Sequence, residues 1–282
     1  MLNSYTTPET PELRNLFRRA DDLKAEIGRL HPLANGIWET IQEKLRVDWT
    51  YNSNAIEGNS LTRGETLFFL REGLTVEGKP LKDFLEARNH HEAINFLHEV
   101  IRSERPISEG LIKELNALLL SGVDHTPAVN QFNQPARKPA APGQYKKLPN
   151  HVQLADGTLY KYVDPIHVPE EMEKLIQWTN QNLETTHPVI TSASAHYNFV
   201  RIHPFDDGNG RGARILMNLI LIKNGFPPAV IKNEERRAYL DALVQADKGN
   251  LEPFVTFVGK SLIDTQEVMV KDLKENPDRG AS

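Results

Sequence analysis

The 282-residue chain contains no cysteine. Disulfide cross-links, a thiol nucleophile and a thiolate-bound zinc ion are therefore excluded. No apolar segment approaches the roughly eighteen residues that a membrane-spanning helix requires, and the N-terminal residues lack a basic stretch followed by an apolar run. We therefore expect a soluble, cytoplasmic protein with no membrane partner.

The chain also lacks a surplus of positive charge, because its formal net charge is −5. This charge gives no reason to expect nucleic-acid binding. The sequence has no internal repeat and no low-complexity tract, and its length suits one large domain or a domain with an added segment. The function must therefore be sought in short local motifs.

The segment with the most chemical information runs from Ile202 to Arg214 and has the sequence IHPFDDGNGRGAR. The residues Gly208, Asn209 and Gly210 can form a nest of backbone N–H groups that binds an anion. Apolar residues recur at helical spacing after Gly210, so the nest lies at a helix N-terminus, where the helix dipole favours negative charge. This pattern predicts phosphate binding.

Charged side chains surround these glycines. Arg211 and Arg214 are three positions apart, so both can reach one polyphosphate. Asp207 is placed to hold Mg²⁺ against the phosphates, since proteins usually bind this ion through one or two carboxylates plus phosphate oxygens. The near-neutral pKa of a histidine suits His203 to general-base catalysis. A His/Asp/Asp metal hydrolase is an alternative, but no HExxH motif or further His-Asp pair completes a ligand set.

The same segment resembles the Fic (Fido) motif, His-x-Phe-x-Asp/Glu-Gly-Asn-Gly-Arg-x-x-Arg, and every defined position is filled from His203 to Arg214. The resemblance implies a mainly α fold, a helical bundle with a β-hairpin flap and an N-terminal helical segment. It implies an enzyme that transfers AMP from ATP to a Ser, Thr or Tyr hydroxyl of a target protein and releases pyrophosphate. The phosphate-transferring Doc relatives carry lysine at the position of Gly210, which favours nucleotidyl transfer here.

The resemblance also implies a role for each residue of the motif. His203 would deprotonate the target hydroxyl, Phe205 would anchor the loop in the core, and Asp207 would bind Mg²⁺. The phosphates of ATP would be held by Gly208, Asn209, Gly210, Gly212, Arg211 and Arg214, the last of these at the γ-phosphate. The family commonly places a tyrosine beside the adenine and an asparagine eight positions later. This chain has Tyr239 and Asp247 at those positions, so the asparagine is missing.

A second motif lies earlier in the chain, between Tyr51 and Asn59. Ser53 and Glu57 share one helix face, and Gly58 suits a left-handed helix end, so the pattern by itself predicts only a capped helix. It also resembles the inhibitory motif of the family, Ser/Thr-x-x-x-Glu-Gly/Asn, in the class where this helix precedes the Fic core. We hypothesise that Glu57 forms an ion pair with Arg214 and blocks the seat of the γ-phosphate.

A β-hairpin is predicted around Asp156 and Gly157, which separate two partly alternating β-prone runs. The resemblance implies that this hairpin is a flap that holds the backbone of the target by strand addition. The docking strand would consist of Val152, Gln153, Leu154 and Ala155. In contrast, the proline-rich composition of residues 121–150 predicts a loop.

Helical periodicity predicts ten helices, which begin at about Pro11, Gly36, Leu61, Lys82, Ser108, Glu170, Val189, Gly210, Glu234 and Leu251. We predict three regions. Residues 1–104 form an N-terminal helical region with the inhibitory motif (Ser53–Gly58), residues 105–265 form the Fic catalytic core, and residues 266–282 form a helix end and a polar tail.

Several alternatives stay open at this point. The enzyme could also remove AMP from its target, with Glu57 orienting a water molecule. A non-catalytic regulatory binding protein of the same fold is a further alternative, although every defined position of the active motif is filled. A different nucleotide or a phosphocholine compound could be the donor, and the target protein and a possible homodimer are not readable from the sequence.

Overall fold

A computed structural model describes residues 5, 7, 9–31, 37–129, 135–153 and 159–275. In this part of the chain there are ten α-helices: α1 (Pro11–Leu30), α2 (Ile37–Ile56), α3 (Arg63–Glu72), α4 (Leu81–Arg102), α5 (Glu109–Leu119), α6 (Val168–Asn182), α7 (Pro188–Ile202), α8 (Asn209–Lys223), α9 (Arg236–Asp247) and α10 (Glu252–Glu275). Two 3₁₀ turns cover Pro165–His167 and Asn233–Glu235. The mainly α architecture predicted from the sequence is confirmed.

Several helices begin where a polar side chain caps them. Thr62 precedes α3, and its Oγ1 accepts a hydrogen bond from the backbone N–H of Glu65 at 3.2 Å. In return, Oε2 of Glu65 accepts a hydrogen bond from the N–H of Thr62 at 2.7 Å. Ser108 caps α5 by accepting from the N–H of Leu111 at 3.2 Å. These local hydrogen bonds satisfy N–H groups that the helix itself leaves free.

The helices α7 and α8 form the centre of the molecule and pack closely against each other. Almost every side chain of α7 is buried, and α8 also contacts α2, α4 and α5. The loop between α7 and α8 carries the active motif. Phe205 in this loop is 1% exposed and packs near Phe199 and Tyr145, so it anchors the loop in the core as predicted.

The N-terminal helices pack onto the rest of the bundle. Helix α1 lies along α10, and α2 contacts α4 and α8. Helix α10 continues across the predicted boundary between residues 265 and 266. The division of the chain into three regions remains a prediction. No helix among the described residues is both long and apolar enough to cross a membrane.

The structure has two short antiparallel hairpins in its described part. Strands β1 (His125–Val129) and β2 (Pro135–Pro139) form the first, and β3 (Val152–Gln153) and β4 (Leu159–Tyr160) form the second. The second is the predicted hairpin, although its turn lies outside the described residues. The first hairpin corrects the prediction of a loop over residues 121–150. Its prolines are tolerated because each strand of an isolated pair has one edge that needs no hydrogen-bond partner.

Candidate active site

The motif loop borders a cavity of about 220 Å³. The cavity is lined by residues from three regions: His203, Asp206, Asp207, Gly208, Asn209, Gly210 and Arg211 from the motif, Glu57 from the end of α2, and Lys82 and Glu86 from α4. The fold thus brings the glutamate of the second motif to the phosphate-binding residues predicted from the first.

His203 stands at the end of α7 in a left-handed backbone conformation, with φ +52°. Its Nδ1 lies 3.3 Å from the carbonyl oxygen of Val200. Burial lowers the pKa of His203 to about 4, because it disfavours the charged imidazolium, and the positive charge of Lys146 acts in the same direction. His203 is therefore neutral at physiological pH and able to accept a proton.

This lowered pKa can be measured directly. We expect the ring protons of His203 to titrate in NMR spectra with a midpoint of about 4 instead of the usual value of 6.5. Because the unfolded chain binds this proton more readily, His203 destabilises the folded chain as the pH falls from 6.5 towards 4. A midpoint near 6.5 for His203 would contradict the burial argument.

Two glycines shape the predicted phosphate nest. Gly208 begins α8 with a left-handed φ of +78°, a conformation that residues with a Cβ rarely adopt, and its N–H donates to Oδ1 of Asp207 at 2.6 Å. A Cβ at Gly210 would overlap Oε1 of Glu57. A lysine, as found in the Doc relatives, therefore does not fit at this position while Glu57 lies above it.

Asn209 holds the loop in shape. Its Oδ1 accepts a hydrogen bond from the N–H of Phe205 at 2.9 Å, and its Nδ2 donates to the carbonyl of Phe205 at 2.8 Å. Because Asn209 is only 3% exposed, water cannot replace these bonds easily. Asn209 therefore fixes the loop across four residues and presents the glycines to the cavity.

We expect Asn209→Ala to lower the free energy of unfolding by about 2 kcal/mol, because the buried N–H of Phe205 loses its partner. The carbonyl of Phe205 keeps a second donor, Nδ2 of Asn150 at 2.9 Å. Urea denaturation followed by circular dichroism provides the measurement. Equal stability of Asn209→Ala and the wild type would show that the hydrogen bonds between Asn209 and Phe205 do not support the loop.

Arg211 is suited to bind an anion. Its side chain is buried, and Nη1 and Nη2 lie 3.4 Å from Oε1 of Glu86 and 3.6 Å from Oδ1 of Asp207. Its Nε and Nη1 have no hydrogen-bond partner among the described residues. Buried N–H groups of this kind are costly unless they are paired. Phosphate oxygens in the cavity would supply the missing acceptors.

Arg214 is bound by Ser53 in α2 and by Glu57 just beyond its end. Its Nε donates to Oγ of Ser53 at 3.0 Å, and its Nη2 donates to the carbonyl of Ser53 at 2.8 Å and to Oε1 of Glu57 at 2.7 Å. The ion pair hypothesised from the sequence is thus present. Burial by itself would raise the pKa of the Glu57 carboxyl, but the charge and hydrogen bond of Arg214 outweigh burial and lower it. Glu57 is therefore ionised at neutral pH.

The end of α2 is held by further contacts. The helix ends at Ile56, and Gly58 takes the expected left-handed conformation with φ +94°. Nε of Arg236, on α9, donates to the carbonyl of Ile56 at 2.8 Å. Nδ2 of Asn59 donates to Oε2 of Glu86 at 3.0 Å. These contacts place Glu57 firmly at the cavity.

Other predicted site residues lie away from the cavity wall. A Cβ at Gly212 would lie 3.4 Å from the ring of Phe199, so this glycine faces the core. Tyr239 is buried, and its hydroxyl lies 3.0 Å from Nε2 of His196. Val152 and Gln153 form β3. Leu154 and Ala155 lie outside the described residues. The adenine contact of Tyr239 and the docking role of the flap remain predictions.

The metal hydrolase alternative gains no support from the residues that the structure describes. Among them, no group of three or more histidine, aspartate or glutamate side chains is arranged to hold a metal ion. The carboxylate of Asp207, which lies beside the glycine nest, instead fits a Mg²⁺ ion that takes its other ligands from phosphate and water.

Sequence reasoning missed the side chains that distant elements bring to the motif loop. Lys82 and Glu86 reach the cavity from α4. Nζ of Lys138, on β2, pairs with Oδ1 of Asp206 at 2.5 Å. No short motif marks these positions, because they are set by the packing of α4 and of the first hairpin against the motif loop.

A sequence model of the Fic/DOC family matches residues 106–221. A solved structure of a Fic domain containing signaling protein from Bacteroides thetaiotaomicron is 31% identical to this chain, with a TM-score of 0.80, and the alignment covers 92% of this chain and 97% of that one. The chain belongs to the Fic/DOC family. The resemblance seen in the motif is therefore confirmed over most of the chain.

Curated relatives of this Fic/DOC family member include the protein adenylyltransferase fic-1 of Caenorhabditis elegans. The two are 31% identical over 264 residues, which cover 92% of this chain and 48% of the relative. The protein adenylyltransferase Fic of Nematostella vectensis is 34% identical over 216 residues, which cover 74% of this chain and 45% of the relative. The chain spans about half the length of the curated relatives it matches.

Proposed function

We propose that this Fic/DOC family member is a Mg²⁺-dependent protein adenylyltransferase that moves AMP from ATP to a hydroxyl of a target protein. The observation that carries the proposal is one cavity lined by a neutral histidine, His203, and by the buried, incompletely paired guanidinium of Arg211. A base and an anion site in one cavity are what nucleotidyl transfer to a hydroxyl requires. The names of the curated relatives support the same activity.

The phosphates of ATP would lie over the N-terminus of α8. The N–H groups of Asn209 and Gly210 and the dipole of α8 favour the negative charge of the α- and β-phosphates. Arg211 would pair with the β-phosphate, which would supply its missing acceptors. Arg214 would hold the γ-phosphate once Glu57 has left it. Asp207 would hold Mg²⁺, which would neutralise part of the phosphate charge.

In the reaction, the hydroxyl oxygen of the target forms a bond to the α-phosphorus of ATP. His203 accepts the hydroxyl proton at Nε2, since Nδ1 faces the carbonyl of Val200. The bond between the α-phosphorus and the oxygen that bridges to the β-phosphate breaks, and the electron pair leaves with pyrophosphate. Arg211 and the dipole of α8 stabilise the charge that develops on the leaving group.

We propose further that AMP transfer is inhibited in the conformation described here. The Oε1 atom of Glu57 occupies the place where a γ-phosphate oxygen would meet Nη2 of Arg214. ATP can then bind only with its γ-phosphate displaced, which misaligns the α-phosphorus. Since the pair forms within one chain, this inhibition does not require a homodimer.

A second candidate function is removal of AMP from the modified target. It is favoured by one observation, namely that the ionised carboxylate of Glu57 lines the same cavity as His203. In this position Glu57 could orient a water molecule towards the α-phosphorus of the bound adenylate. The two functions predict opposite effects of Glu57→Gly, which would raise transfer and abolish removal.

The main proposal is tested by determining which phosphate of ATP is transferred to protein. The wild-type chain, Glu57→Gly and His203→Ala are each incubated with Mg²⁺ and with ATP labelled at either the α- or the γ-phosphate, in the presence of lysate as a source of targets. Label from the α-phosphate alone supports AMP transfer, whereas label from the γ-phosphate would show a kinase. If neither label is transferred by any variant, ATP is not the donor, and other nucleotides or phosphocholine donors are tested before a binding function.

A further inference from the structure

The segment that follows β4 lies directly against His203, the candidate base. We call this segment, together with the second hairpin, the flap. The aromatic ring of Tyr162, two residues beyond β4, stacks on the imidazole of His203 with ring centroids 3.8 Å apart and an angle of 19° between the planes. A second constraint comes from Val200, whose carbonyl oxygen lies 3.3 Å from Nδ1 at the edge of the ring. Tyr162 therefore restricts the tilt of the imidazole plane, and the carbonyl of Val200 restricts its rotation within that plane.

Tyr162 is itself held by its neighbours. The hydroxyl of Tyr160, in β4, donates to Oδ1 of Asp247 at 2.9 Å. The hydroxyl of Tyr197, on α7, donates to the same oxygen at 3.0 Å. The rings of Tyr160 and Tyr162 meet edge to face with centroids 5.0 Å apart. We call Tyr160, Tyr162 and Asp247 the flap clasp.

The clasp explains why a carboxylate suits position 247. An ionised carboxylate accepts two phenol hydrogens at once, and such charge-assisted hydrogen bonds are stronger than those to a neutral amide. Asp247 stands at the end of α9, so it ties the flap to two core helices, α7 and α9. Its carboxylate therefore contacts the end of the second hairpin and α7.

We propose that Tyr162 is a positioning residue that fixes the imidazole of His203, and that Asp247 holds Tyr162 in place through Tyr160. The inference rests on the proposed function, in which His203 is the base. A base must be held in a narrow range of orientations to accept its proton efficiently. A ring stacked on one face of the imidazole leaves its edge free to point into the cavity while limiting its rotation.

The charges around His203 have to be constant in any test of this proposal. Lys146 lies beside the stacked pair, with Nζ 5.7 Å from the centroid of Tyr162. The other charged groups that face the imidazole or share its cavity are Glu57 from α2, Lys82 and Glu86 from α4, and Asp206, Asp207 and Arg211 from the motif. The NMR variants of Tyr162 leave all of these in place, and in the kinetic comparison Glu57→Gly is common to every variant, so the variants compared with one another never differ in these charges.

The experiment compares Tyr162→Leu with Tyr162→Phe by NMR of the full chain without nucleotide. In the wild type, we expect the ring protons of His203 to be shifted upfield by the stacked tyrosine. Tyr162→Leu removes that shift and moves the midpoint of the His203 titration from about 4 towards 6.5, since the imidazole gains water. Tyr162→Phe keeps the ring and both signatures. Unchanged His203 signals in Tyr162→Leu would overturn the proposal.

Kinetics provide the second readout. The kinetic variants are made in the Glu57→Gly chain, which is free of inhibition. There we expect Tyr162→Leu to lower kcat about tenfold and to change KM for ATP less than about twofold. Tyr162→Phe is expected to keep the kcat of the Glu57→Gly chain. A rise in KM with unchanged kcat would overturn the positioning role. The NMR signatures need no catalysis. If they change as expected while no variant transfers AMP, the proposed function fails and the placement of His203 by Tyr162 stands.

The role of Asp247 is tested by a double-mutant cycle with Tyr160→Phe and Asp247→Ala, read from the upfield shift of His203. If Asp247 acts through the hydroxyl of Tyr160, the double variant loses no more of the shift than Asp247→Ala alone. Fully additive losses would show that Asp247 acts by another route and would overturn this half of the proposal.

Discussion

Glu57→Gly is expected to raise the rate of AMP transfer from ATP to protein by about a hundredfold, which corresponds to about 2.7 kcal/mol. In the wild type the carboxylate of Glu57 is paired with Nη2 of Arg214. Only the small fraction of molecules in which this pair is open can therefore bind the γ-phosphate in the productive position. Arg214 keeps its two hydrogen bonds to Ser53 in the variant. The guanidinium therefore stays in position and becomes free for phosphate.

The measurement is the initial rate at which α-phosphate label enters protein, with the wild type and Glu57→Gly at equal concentration. Glu77→Gly is the matched control, because Glu77 is an exposed glutamate in the turn before α4. Equal rates for the wild type and Glu57→Gly would show that the ion pair does not limit transfer. A loss of AMP from a modified target in the wild type but not in Glu57→Gly would favour the removal function.

His203→Ala is expected to reduce AMP transfer by about a thousandfold when it is made in the Glu57→Gly chain, because general-base catalysis contributes a factor of this order. The proposed phosphate site consists of the N-terminus of α8 with Arg211 and Arg214 and does not include the imidazole of His203. ATP should therefore bind the double variant with nearly the affinity shown by Glu57→Gly.

Isothermal titration calorimetry measures ATP binding, and α-label on protein measures transfer. His167→Ala is the control, because His167 is exposed and lies between the flap and α6. Full activity of the His203→Ala variant would show that His203 is not the general base. Loss of ATP binding together with activity would instead mean that His203 contributes to the nucleotide site.

The sequence was most informative where the chemistry lies within a few neighbouring residues. The starts of α3 and α5 depend on hydrogen bonds that span only three residues, in the capping box of Thr62 and Glu65 and in the cap at Ser108. The motif from His203 to Arg214 also lies in one loop and the first turns of one helix. In both cases the geometry follows from backbone periodicity and needs no distant partner.

Predictions that depended on contacts between elements were less complete. The pair of Glu57 and Arg214 was anticipated only through a resemblance to a family motif, since 157 positions separate the two residues. The first hairpin was missed because its prolines argue against a central strand, and only the structure shows that both strands are edges. The stacking of Tyr162 on His203 had no counterpart in any sequence pattern.

The sequence by itself determined the positions of the helices and the loop that carries the motif from His203 to Arg214, because hydrogen bonds along the backbone and side-chain periodicity are local. The tertiary structure decided what surrounds that chemistry. The packing of α2 brings Glu57 to Arg214, the packing of α4 brings Glu86 to Arg211, and the flap brings Tyr162 to His203. These contacts depend on how all the helices bury their apolar faces together, which no single segment specifies.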